Sequence, residues 1–162
     1  MANHDVISYG KLYLRVPYRF WDPNVSCYGD CGPFWAFEGV PPPRPRVMKE
    51  QLNCAGFVNI VCRHLGIKIP GVEEQSYYAG GTYEWYVYLD AKKKLHPYVE
   101  GTEYPVGSLL LRRYRSEQDQ GHLAIAFGPG KVIHSYPEKG VCIDRVYEKY
   151  YEFVSLPAEW IQ

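Results

Sequence analysis

The sequence predicts an α+β domain in which one buried helix packs on an antiparallel β-sheet. Three observations predict it. Residues Leu52 to Leu65 are apolar on nearly every face and stop at Gly66, the pattern of a core helix with a glycine C-terminal residue. After Pro105 come four strand-like runs: Val106 to Tyr114, Gly121 to Phe127, Lys131 to Ser135 and Val141 to Val146. The breaks holding Gly128, Pro129 and Gly130, and then Pro137 and Gly140, are short hairpin-type links. Parallel neighbours need a crossover of about a dozen residues or more, so these strands form an antiparallel meander.

The chain's 162 residues give room for one domain, residues 1–162, with a sizeable core. Apolar residues make up 46% and charged residues 22%, which excludes wholesale disorder and fibrous repeats. Eighteen basic residues balance eighteen acidic ones, so no overall positive field draws in a phosphate backbone, and nucleic acid is not an expected partner. Sixteen tyrosines suit the rim of a core or a half-wet groove, because each pairs a large ring with a hydrogen-bonding tip.

Taken in chain order, the segment Met1 to Arg15 lacks an apolar run of signal-peptide length, and His4 reads as part of a mobile terminus. No stretch approaches the roughly 20 apolar residues of a membrane span. The expected location is therefore the cytoplasm, or outside it by a route without a cleaved leader, and the expected state is a monomer. Residues 22–50 form a long Pro/Gly-rich arm that interrupts both helix and sheet hydrogen bonding. The helix that follows starts at Asn53, whose side chain is suited to accept from the first free backbone N–H groups, which puts Cys54 in the first turn. Residues 71–104 mix aromatic, glycine and lysine residues without a readable period.

A thiol in a helix's first turn feels unpaired N–H groups and the positive end of the helix dipole, both of which favour thiolate. Cys54 is thus the candidate nucleophile, expected to alkylate ahead of Cys27, Cys31, Cys62 and Cys142. His122 opens one strand and His134 closes the next. If Gly128 to Gly130 make the turn, both histidines lie at one edge of the sheet. His122 then takes the thiol proton while His134 orients its imidazole. Five cysteines leave at least one unpaired in any disulfide scheme. Cys27 and Cys31 suit either a disulfide or two metal ligands, but zinc spacing needs a second pair; Cys62, His64 and Cys142 are scattered, so no metal or cofactor is expected. Cys62 reads as core, and His64, His96 and the Lys92 to Lys94 run as surface.

These residues resemble the NlpC-type cell-wall peptidases, papain-like cysteine hydrolases with the patterns Asp-Cys-Ser-Gly-Phe-Val, His-Val-Gly-Ile-Tyr and a polar third residue. Asn53-Cys54-Ala55-Gly56-Phe57-Val58, His122-Leu123-Ala124-Ile125-Ala126 and Val132-Ile133-His134 occupy those places in order. Val16-Pro17-Tyr18-Arg19-Phe20-Trp21 is similar to the family's Pro-Tyr-x-Trp segment, and Pro105-Val106-Gly107-Ser108-Leu109 to its Pro-Gly-Asp-Leu strand entry. The resemblance implies a papain-like fold, a Cys54-His122-His134 triad, cleavage of peptidoglycan stem peptides, and Tyr18 lining the site. It also implies that Asn53 and Ala55, standing where the family has Asp and Ser, remove a charge and a hydroxyl used to recognise a substrate amino group. A thiol-dependent amidase or acyltransferase, and a catalytically silent glycopeptide-binding module, are the alternatives.

Overall fold

The computed structural model describes residues 3–18, 52–74, 76, 79–116 and 118–161. The arm at 22–50, with Cys27 and Cys31, lies outside the described residues. Helix α1 (Asn3–Lys11) is followed by α2 (Cys54–Leu65) and α3 (Thr82–Ala91). Then come strands β1 (His96–Pro97), β2 (Leu109–Arg112), β3 (His122–Gly128), β4 (Lys131–Tyr136), β5 (Gly140–Arg145) and β6 (Phe153–Ser155), and a short helix α4 (Pro157–Trp160). The strands form one six-stranded sheet in the order β1-β6-β2-β3-β4-β5, each neighbour antiparallel. The meander expected from the short links is β2 to β5, and β6 returns across the sheet to pair with β2.

Helix α2 begins and ends where its capping residues dictate. The Asn53 side chain accepts from the Gly56 N–H at 2.7 Å, and Gly66 takes a left-handed conformation at φ 67° that closes the C-terminus. Its residues from Cys54 through Cys62 are buried on all sides. One side meets α1, which corrects the reading of the N-terminus as mobile. Val6 and Ile7 join the core, and Gly10 comes so close to Phe57 that an added Cβ would lie 3.1 Å from its ring. Another side meets Leu109, Leu111, Leu123, Ile125 and Ile133 of the sheet. Strand alternation turns Leu110, Ala124, Ala126 and Val132 to the opposite face, where they cluster with Tyr151.

Two buried polar links fix the helices to the sheet. Asn59 of α2 donates to the Gly80 carbonyl at 2.9 Å and accepts from Trp85 Nε1 at 2.9 Å, which ties α3 against α2. Ser135 of β4 donates to the Leu52 carbonyl at 2.7 Å, so the chain entering α2 is bonded to the strand that carries His134. Each of these buried side chains finds a hydrogen-bond partner.

Candidate active site

The site assembles where α2 begins. Cys54, 8% exposed, is the first residue of the helix, and its thiol meets the main chain of Leu123, the residue after His122. Thr82 Oγ1, at the first residue of α3, lies 3.8 Å from the sulfur. Burial pushes the Cys54 thiol up, and the contacts to Leu123, Thr82 and the first amides of α2 pull back against it. The helix-end stabilisation expected from sequence is thus present but opposed by a larger desolvation. Burial therefore favours the thiol over the thiolate form of Cys54.

His122 and His134 are brought together as the hairpin reading required. His122 Nε2 lies 2.8 Å from His134 Nδ1, with the rings crossing at 78°. Sheet alternation places both on the face with Ala124 and Val132, away from the body of α2. Each is buried, at 3% and 0% exposure. The residue before the pair is constrained as tightly: Gly121 sits at φ 77° with room for no Cβ, which would fall 2.3 Å from the Arg112 carbonyl oxygen. That close approach is what lets β3 begin at His122 opposite Arg112.

Aromatic rings enclose the pair. His122 packs against Tyr136, Tyr150 and Tyr151, and His134 stacks on Tyr136 at 5.3 Å and meets Tyr147. Tyr18 is held beside Cys54 by a bridge to Leu52, whose N–H donates to the Pro17 carbonyl at 2.9 Å. Burial first, and then nearness to Cys54, Tyr150 and Tyr136, raises the Tyr18 hydroxyl above the ordinary phenol range. The Tyr151 hydroxyl is buried and has no hydrogen-bond partner among the described residues. All six residues expected in the site, Tyr18, Asn53, Cys54, Ala55, His122 and His134, therefore gather around the start of α2 and the β3–β4 pair. Asn53 is occupied as the helix cap, and Ala55 is 3% exposed.

Several participants were not legible in the sequence. Asp144 Oδ2 lies 3.4 Å from His134 Nε2 and 2.8 Å from Lys139 Nζ, and it also accepts from the Tyr147 hydroxyl. Cys142, grouped with scattered residues in the sequence reading, is the cross-strand partner of His134. The ligand atoms of His134, Cys142 and Asp144 lie within 4.8 Å of one another, and the Lys139 ammonium already neutralises the carboxylate there. A cleft of about 610 Å³, lined by Tyr98, Tyr104, Leu110, Ala126 and Lys131 among others, contains none of Cys54, His122 and His134.

Burial, and then the neighbouring His134, hold His122 well below the usual imidazole range; burial also lowers His134, with Asp144 pulling it partly back. Both rings bind a proton less readily folded than unfolded. Their contribution to stability is therefore complete above the unfolded value near 6.5 and declines as pH falls from there towards the depressed folded values. Urea unfolding at stepped pH is expected to show stability falling below about pH 6.5, with a slope of up to about 1.4 kcal/mol per pH unit for each such proton. His122→Gln is expected to flatten that slope. His64, lowered by partial burial, is common to both proteins, so an unchanged slope in the variant would contradict the reading of His122.

A family model described as the NlpC/P60 family matches residues 36–157. Among solved structures, the chain is similar to the P60 domain of an antigen from M. avium subspecies paratuberculosis, with a TM-score of 0.58 and 14% identity over 98% of this chain and 96% of that one. It is similar to RipD from Mycobacterium tuberculosis, a non-catalytic NlpC/p60 domain protein described as adapted to peptidoglycan binding, at TM-score 0.55 and 15% identity over 94% and 95%. The NlpC/p60 domain of the peptidoglycan hydrolase SagA matches at TM-score 0.51 and 20% identity over 96% and 98%. At these identities the likeness is one of fold. No curated protein matches the chain.

Proposed function

The chain belongs to the NlpC/P60 family, and on that premise we propose that it is a cysteine hydrolase cleaving amide bonds in peptidoglycan stem peptides or related peptides. Cys54 is the nucleophile, His122 its general base and His134 the residue that orients His122. The observation that carries this reading is the 2.8 Å contact between His122 and His134 beside a helix-start thiol that touches the peptide following His122. A buried imidazole pair with lowered proton affinity next to a thiol favours the hydrolase reading over a binding module, because shifted titratable groups cluster at catalytic sites.

In this mechanism the thiol proton passes to His122 as sulfur attacks the scissile carbonyl, and the same imidazolium then protonates the leaving amine. Water hydrolyses the acyl-enzyme with His122 again as base. Because burial keeps Cys54 protonated at rest, the transfer to His122 accompanies attack rather than preceding it. The tyrosine enclosure limits water around the pair and strengthens each polar contact within it. RipD, of the same fold, is described as non-catalytic, so turnover itself is the decisive measurement. Incubation with purified peptidoglycan, followed by mass spectrometry of released fragments, is expected to show peptide cleavage.

Asn53 and Ala55 bear on specificity. Asn53 offers no charge and its oxygen is engaged at the helix cap; Ala55 offers no hydroxyl. A free ammonium group near the scissile bond therefore finds neither partner. The expected result is a kcat/KM for a free-amine stem peptide within a few-fold of its N-acetylated counterpart. Asn53→Asp with Ala55→Ser is expected to shift preference to the free amine by about tenfold, the effect of about 1.4 kcal/mol. A strong free-amine preference in the unmutated protein would mean that the charge is supplied from elsewhere.

A further inference from the structure

Beyond the triad, the sheet carries a third layer. Strand β5 pairs with β4 so that Cys142 stands opposite His134 and Asp144 opposite Val132. Val132 and His134 share a face, as do Cys142 and Asp144, so Asp144 is the diagonal neighbour of His134, at a separation its side chain can bridge. Its carboxylate, 14% exposed, meets His134 Nε2 at 3.4 Å. The carboxylate does not swing freely. Lys139 Nζ holds Oδ2 at 2.8 Å, the Tyr147 hydroxyl donates to the same oxygen, and Lys139 bonds Tyr147 at 3.0 Å, while the Arg145 N–H donates to Oδ1 at 2.9 Å. Three donors converge on one acidic group beside a fully buried imidazole.

We propose that Asp144 is the positioning residue that sets the tautomers of both histidines, with Lys139 and Tyr147 holding its carboxylate in place. The inference rests on the hydrolase reading above only for its consequence, and the tautomers themselves are testable without any turnover. An ionised carboxylate accepts and cannot donate, so His134 must carry its proton on Nε2. Its Nδ1 is then a lone pair, and it accepts from His122 Nε2–H across the 2.8 Å contact. His122 Nδ1 is left as the lone pair able to receive the thiol proton. The chain of donors thus runs in one direction, from the nucleophile's base outward to β5.

The charge state needed for this is secured locally. Burial works against the Asp144 charge, but the hydrogen bonds from Lys139, Tyr147, the Arg145 N–H and His134 outweigh it and hold the carboxyl well below its usual range. The titratable groups facing His134 are His122 from β3, Tyr136 from β4, Lys139 from the β4–β5 turn, Cys142 and Asp144 from β5, and Tyr147 beyond it. Of these, Asp144 is the group able only to accept. Replacing it with asparagine allows the amide to turn its NH2 towards His134 Nε2. That reverses every donor in the chain and puts a proton on His122 Nδ1, where the thiol needs a lone pair.

The test has two independent readouts. Histidine 15N chemical shifts in the unmutated protein are expected to show His134 and His122 both as the Nε2–H tautomer, and Asp144→Asn to move His122 towards Nδ1–H. Finding His134 protonated on Nδ1 in the unmutated protein overturns the proposal whether or not the protein cleaves anything. Secondly, Asp144→Asn is expected to lower kcat/KM, or the Cys54 alkylation rate if no substrate is turned over, by roughly 10- to 100-fold, the usual effect of losing a group that orients a reactive one. In a His134→Gln background the same change is expected to add less than about twofold, because residues acting as one unit are non-additive. An equal loss in both backgrounds would mark Asp144 as merely structural and refute the assignment.

Discussion

Cys54→Ala is expected to abolish release of peptide fragments from peptidoglycan, by at least about 1000-fold, with the fold intact. In the proposed mechanism the sulfur forms the covalent intermediate, and the Thr82 hydroxyl 3.8 Å from it is a far weaker nucleophile. The helix does not depend on the thiol. Its cap is the Asn53 side chain on the Gly56 N–H, and its buried face runs from Ala55 to Cys62. Circular dichroism and the thermal midpoint are therefore expected to stay close to those of the unmutated protein. Retained turnover in the variant would end the thiol mechanism. Absence of turnover in the unmutated protein, with peptidoglycan still bound, would instead assign this chain to the binding role described for RipD.

His122→Ala is expected to lower kcat/KM by roughly 100- to 10,000-fold, the usual contribution of a positioned general base. Truncation also opens a cavity among Tyr136, Tyr150 and Tyr151, so His122→Gln, which keeps most of the volume and cannot act as the base, separates chemistry from packing. The pH profile adds a second signature. A general base must be unprotonated, and His122 is held well below the ordinary imidazole range by burial and then by His134. Activity is accordingly expected to persist as pH falls past 6.5 and to fail only at lower pH, with that acid limb removed from the residual rate of His122→Gln. A limb centred at the ordinary imidazole value would show that the base is a solvated histidine and not this one.

The first turn of α2 and the place of Cys54 in it were legible because their cause is local. Asn53 and Gly66 are a capping residue and a left-handed terminator, and neither needs the rest of the chain to act. The β3–β4 hairpin was legible for the same reason: a Gly-Pro-Gly link between two apolar runs leaves one pairing, which brings His122 and His134 to one edge. The motif order around Cys54, His122 and His134 then pointed to the family that the model match establishes over residues 36–157.

Elements whose cause is non-local were not legible. Helix α3 was unreadable because its sequence, Thr-Tyr-Glu-Trp-Tyr-Val-Tyr-Leu-Asp-Ala, spreads aromatic residues over every side, and only Trp85 and Leu89 reach the core, the former bonded to Asn59. Helix α1 is not legible because its short amphipathic pattern is stabilised by Phe57 and the core of α2, not by itself. The depth of Cys54 was likewise hidden, since a helix start looks exposed until the sheet and α3 close over it. The sequence by itself determined the place of Cys54 at the helix start, the meeting of the two histidines and the hairpin that joins them, because each depends on neighbours a few residues away. Tertiary structure alone decided that Thr82 meets the thiol, that tyrosines enclose the imidazoles, and that Asp144 backs His134, because strand register and helix packing bring those groups together and local propensity does not record either.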